Sequence, residues 1–197
     1  MRRTTIGLGL ATLAVLLHGC GGNGAGGGAG ITATGYVAYV RVVDPVTGQP
    51  LSTAEVHFVT DTGNLPMRRV VAGQTTDPNE ISLRFAQAIV SDAKEGDFVL
   101  LNVGENLVFR GLWVRRPAGY TAIVRHTTPE NLKRVIQTPE SPNTLAACLV
   151  ASNQAGVVKT VFGAPEPGKP KVLNFGVIEV FPNNPQVPPP PVDDVCP

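Results

Sequence analysis

Apolar and polar residues alternate along most of this chain, in short runs broken by scattered glycine and proline. Period-two alternation outweighs helical spacing, which argues for strands. The run "GYVAYVRVV", residues 35–43, is rich in Val and Tyr and reads as a strand. "AEVHFVT", residues 54–60, alternates more cleanly: Ala54, Val56 and Phe58 share one face, Glu55 and His57 the other. Between them "DPVTGQPLS" supplies Asp-Pro, Thr-Gly and Gln-Pro steps, which is turn chemistry. The two runs are expected to pair as a hairpin with Val56 and Phe58 facing inward. Further strands are expected over 81–85, 98–103, 107–114, 120–125, 145–151, 157–162 and 172–181. One short helix is expected over 128–136, where Thr128 can cap, Pro129 suits the first helical position and Glu130 favours the positive end. The chain ends in "PNNPQVPPPPVDDVCP", which should be extended polyproline II. Many short strands with turn signals predict an all-β sandwich.

The N-terminal pattern differs. Arg2 and Arg3 precede an uncharged apolar run over residues 6–17. That run is too short to cross about 30 Å of hydrocarbon, but it has the length and flanks of a secretory signal. "LHGC", Leu17 to Cys20, resembles a bacterial lipoprotein lipobox, although His18 departs from the small or β-branched residue usual there. The resemblance implies cleavage before Cys20 and lipid on the new N-terminus. Cleavage nearby as an ordinary signal peptide is the alternative. Residues 21–30 are mostly glycine, which loses the most backbone freedom on ordering, so they read as a tether reaching about 15–20 Å. The expected organisation is a signal peptide (1–19), a lipidated cysteine and tether (20–30), a sandwich domain (31–182) and a proline-rich tail (183–197). Gly21 stands where an inner-membrane retention signal would carry aspartate, so the outer membrane is expected in a two-membrane cell.

Charge and cysteine content fit export. The full chain carries +1; loss of Arg2 and Arg3 leaves 14 basic against 15 acidic residues. A near-neutral mature chain gives no reason to expect nucleic acid as a partner. With Cys20 on lipid, Cys148 and Cys196 remain, and an oxidising compartment favours a disulfide between them. A buried Cys148 thiol with a free tail is the alternative.

Residues 35–59 resemble the carboxypeptidase regulatory-like domain, a transthyretin-like β-sandwich. The resemblance rests on Gly35, Val37, Asp44, Thr47, Gly48, Pro50, Leu51, Ala54 and Val56, which fit its pattern of strand, D-x-x-T-G-x-P-L turn and A-x-V strand. "TTDPNEISLRF", "RRPAGYT" and "NFGVIEV" resemble its later motifs, with Glu80 where a glycine is usual. The fold class implied is an immunoglobulin/transthyretin-like β-sandwich with a short helix and an extended proline-rich tail. The resemblance implies a fold and no activity; such domains serve as rigid binding or spacing modules.

Candidate chemistry is sparse. Intradiol dioxygenases share the same hairpin and bind iron through two Tyr and two His. This chain offers Tyr36, Tyr39, Tyr120, His57 and His126, but no His-x-His pair. Transthyretin-like hydrolases carry a Tyr-Arg-Gly-Ser motif that is missing here. "GAPEPGKP", residues 163–170, mimics a phosphate loop, but Pro165 and Pro167 remove N–H donors and Pro170 replaces the metal-binding hydroxyl. It reads as a loop between strands. "FRGLWVRRPAGY" gathers Arg110, Trp113, Arg115, Arg116 and Tyr120, residue types suited to a protein or sugar contact. In a regular strand Trp113 and Arg115 share one face and Arg110 lies opposite. Trp113 in the core with the arginines on a solvated face is favoured, because a large aromatic usually buries in a small sandwich. The leading expectation is a non-catalytic, lipid-anchored envelope protein without cofactor or metal, touching the membrane through its anchor and other envelope proteins or glycans through its sandwich. A carbohydrate-binding or adhesive module is the second reading and a metal-dependent enzyme the third.

Overall fold

The computed structural model describes residues 35–141 and 155–195. The signal, the tether, Cys20, Cys148, Cys196 and the strand expected over 145–151 lie outside the described residues.

The central strand is β1 (Tyr36–Val43). Its near-continuous apolar run is what a strand covered on both faces requires. Tyr36, Ala38, Val40 and Val42 point into the main core, while Val37 and Tyr39 join a second apolar cluster on the opposite face. β1 pairs in parallel with β11 (Lys171–Pro182) and antiparallel with β6 (Phe98–Val103). The sheet continues through β8 (Tyr120–Thr127), β9 (Lys133–Gln137) and β12 (Asp194–Val195) on one side, and through β4 (Arg68–Val71) and β5 (Glu80–Ser82) on the other. A smaller sheet runs in the order β10 (Gly156–Val157), β7 (Val108–Arg115), β2 (Glu55–Thr60), β3 (Asn64–Pro66). The described residues therefore form an all-β sandwich with two short helices. Its main core holds Phe58 and Phe109, with ring centroids 4.4 Å apart, and Phe175, 5.2 Å from Phe109. Among the described residues no helix is long and apolar enough to cross a membrane.

The expected β1–β2 hairpin does not form. Asp44 Oδ1 accepts the Val46 and Thr47 N–H groups at 2.7 and 3.1 Å, and Gly48 takes φ +70°. The turn is thus as tight as its sequence suggests. A single bridge, Val43 to Pro50, follows, and Leu51 and Ala54 then bury as the chain crosses to the other sheet. Val56 and Phe58 face the core at 1% and 0% exposure.

Three further expectations are corrected. Residues 81–85 begin as β5 but turn into α1 (Leu83–Ile89), capped by Ser82, whose Oγ accepts the Phe85 N–H. The alternation of Ile81, Leu83 and Phe85 gives way to helical spacing through Ala86, Ile89 and Val90, and that face covers the outer side of β1. Residues 157–162 are not a strand beyond β10; α2 (Val158–Phe162) follows. Their apolar positions, 157, 158, 161 and 162, are spaced for a helix. Residues 128–136 are not a helix. Asn131 takes φ +63°, Thr128 and Leu132 close a turn by hydrogen bonds, and β9 starts at Lys133. Thr, Pro and Glu suit a turn as well as a cap, and Val135–Ile136 then favour a strand.

The tail is also not wholly free polyproline. Residues 188–192 form no regular element, but β12 pairs in parallel with Ile136 and Gln137. Asp193 fixes the approach: its N–H donates to the Val135 carbonyl, and its carboxylate accepts the Val135 N–H, both at 2.9 Å.

Candidate functional site

The Arg–Trp–Tyr stretch lies on β7 and the turn after it. β7 is not regular: its register against β2 shifts between Val59 and Thr60, so Phe109 and Leu112, three residues apart, both reach the core. Parity therefore does not carry from Trp113 back to Arg110, which is simply exposed. Trp113 is buried but not in the main core: it lies on the face of the small sheet turned away from that core, packed with Val59. It is 6% exposed. The His57 ring meets it edge-on, centroids 5.2 Å apart, and its Nε1–H donates to the Pro139 carbonyl at 2.9 Å. The segment after β9 thus folds over Trp113, held by the Thr138 N–H and hydroxyl on the Ala122 carbonyl.

Ion pairs rim this face. Arg115 reaches Glu55 at 3.3 Å and Arg116 reaches Glu140 at 3.1 Å, all four side chains more than a third exposed. Tyr120 belongs elsewhere: its hydroxyl donates to Asp44 Oδ2 at 2.8 Å and ties β8 to the turn after β1. Burial opposes ionisation of Asp44, but the bonds from Tyr120, Thr47 and Val46 outweigh it and hold the carboxyl below its usual range. Burial and Asp44 together raise Tyr120. The stretch therefore divides between a covered tryptophan, a rim of arginines and a structural tyrosine.

Beside this face lies a recess of about 340 Å³, lined among others by His57, Met67, Arg69, Glu80 and Phe98. Its charges are engaged: Arg69 pairs with Glu80 and donates to the Ser52 carbonyl at 2.6 Å, while the Thr75 hydroxyl donates to Glu80 at 2.7 Å. His57 Nδ1 is buried and has no hydrogen-bond partner among the described residues. Burial lowers the His57 pKa, against the opposing pull of Glu55 3.8 Å away, so the ring is neutral at pH 7.

A cluster absent from the sequence reading sits on the other side of the molecule. Asp97 is 0% exposed. Its carboxylate accepts the Tyr39 hydroxyl at 2.6 Å, Arg41 Nε at 2.8 Å, Arg41 Nη2 at 3.0 Å and the Lys94 N–H at 2.7 Å. Arg41 also donates to the Asp92 carbonyl at 3.2 Å. Burial first, then Asp97, pushes the Tyr39 phenol well above its usual range. The Asp97 bond raises Arg41. A signal existed: Arg41 interrupts a run buried on both faces, and a charge there needs a counterion.

The tyrosines and histidines weighed as iron ligands are not gathered. The Tyr36 hydroxyl donates to the Gly163 carbonyl at 2.8 Å, Tyr39 bonds Asp97 and Tyr120 bonds Asp44. His57 lies on the small sheet, while His126, on β8, bonds the Phe175 carbonyl. Among the described residues no three His, Cys, Asp or Glu side chains group as metal ligands. The phosphate-loop mimic at 163–170 links α2 to β11, with the Lys169 N–H on the Glu166 carbonyl. No protein-family model, no curated protein and no solved structure matches this chain.

Proposed function

We propose that this chain is an exported, lipid-anchored protein of the bacterial cell envelope whose β-sandwich binds or spaces other envelope components without catalysis. One observation carries the non-catalytic part: the strongest polar clusters join strands and turns to one another. Tyr39, Arg41 and Asp97 tie β1 to the connection between α1 and β6, and Tyr120 and Asp44 tie β8 to the turn after β1. Such groups are engaged in holding the frame, as a rigid module requires. The anchor rests on the order of basic start, apolar run, "LHGC" and glycine tether. The spacer role rests on the resemblance of residues 35–59 to the carboxypeptidase regulatory-like domain.

The test is crosslinking in the native cell, followed by identification of attached partners. Envelope proteins or glycans attached to the parent, with a Cys20→Ala variant lost from the detergent phase, is the expected result. Crosslinks confined to cytoplasmic proteins would contradict the proposal.

A further inference from the structure

A second cavity, of about 320 Å³, opens where β8, the turn after it, the first half of β11 and α2 meet. That volume lies at the lower end of the range of small-molecule sites. Its apolar wall is Phe162, Leu173 and Phe175. Phe175 and Leu173 belong to the main core, while Phe162 packs against it with its ring 6.0 Å from Phe175, edge-on. The two rings pack edge-on and give the cavity a preformed apolar wall against which an apolar body can lie.

The polar part of the cavity is asymmetric. His126 lines it and is 3% exposed. Its Nε2 lies 2.5 Å from the Phe175 carbonyl. A carbonyl only accepts, so Nε2 carries the hydrogen and Nδ1 is left as the acceptor of the neutral ring. Burial keeps the imidazole neutral, with Arg134 opposite it on β9 acting in the same direction and the Phe175 bond opposing. The charge of the cavity is then set by Lys171 and Glu130. Glu130 is exposed on the turn, where water and salt screen it. Lys171 is half-buried, and its Nζ donates to the Ala164 carbonyl at 3.5 Å; it has no carboxylate partner among the described residues. A lysine without a carboxylate partner beside an apolar wall suits an anion.

We propose that this cavity binds a small organic acid with an apolar body, its carboxylate on Lys171 and its body against the wall formed by Phe162, Leu173 and Phe175. This goes beyond the anchoring reading and does not depend on it.

The test uses the purified full-length chain, titrated with phenylacetate, with phenethylamine as the same body bearing a positive charge. Binding is followed by calorimetry and by amide NMR shifts. Phenylacetate should produce saturable shifts at residues 126–128, 130, 162 and 171–175 and bind at least about tenfold more tightly than phenethylamine, the worth of one charge-assisted hydrogen bond. Lys171→Gln should remove that preference while leaving the remaining spectrum unchanged, since its weak bond to Ala164 holds no element in place. Glu130→Gln should leave phenylacetate binding unchanged or tighten it. Absence of saturable shifts at those amides, equal affinity for the amine, or full affinity in a folded Lys171→Gln protein would each overturn the proposal.

Discussion

The outer faces of the two sheets use the same residue types to opposite ends. Both set an arginine and a carboxylate beside an aromatic ring. On the large sheet, α1 and its following turn bury the group: Asp97 is fully enclosed, and Tyr39, Arg41 and a backbone N–H satisfy it. On the small sheet, Trp113 is covered but Arg115 and Glu55 remain in water at 65% and 54% exposure. A charge pair in water is worth little, whereas a buried carboxylate is costly as soon as a partner leaves. The first face is a lock inside the fold, and the second is a surface free to vary.

The largest effect should come from breaking the lock. Asp97→Ala strands the Arg41 guanidinium and frees the turn before β6, so unfolding by denaturant should show a loss of about 3–5 kcal/mol. Trp113→Ala should cost about 3 kcal/mol, as for other buried aromatics, and Trp113→Phe about 1 kcal/mol for the lost Pro139 bond. If the two Trp113 variants lose equally, the hydrogen bond rather than the packing holds that face closed.

Asp44 with Tyr120 lies between these extremes. Asp44→Ala should cost about 1–3 kcal/mol at pH 7, since it removes the turn's acceptor and leaves Tyr120 unpaired. Because the Asp44 carboxyl is lowered in the folded state, its contribution is present above about pH 4 and lost as pH falls through the lower folded value. Denaturation curves of parent and variant should therefore converge in acid; a constant gap down to pH 3 would mean that ionisation of Asp44 is irrelevant. The smallest effect is expected for Arg115→Ala, below about 1 kcal/mol and smaller still in high salt.

Sequence pattern revealed the long strands and misled on the short ones. β1, β7 and β11 were legible because each carries an extended apolar run or alternation long enough to reject a helix. Residues 81–85 and 157–162 were misread because five or six residues hold too few apolar positions to separate period two from period 3.6. The turn at Asp44 was legible, but turn chemistry says only that the chain reverses, not which sheet it enters next. The shared face of Trp113 and Arg115 followed from alternation, since the bulge falls before them. The Tyr39–Arg41–Asp97 cluster was out of reach because its halves lie far apart in sequence and no local rule joins them. Only the burial of β1 on both faces makes Arg41 stand out.

The central proposal is a lipid anchor on Cys20. The most direct measurement is the mass of the N-terminal peptide of the protein isolated from its own cells. A peptide beginning at Cys20 and heavier by a diacylglyceryl group is the predicted result. An unmodified Cys20 thiol within a longer or differently cleaved peptide would contradict it.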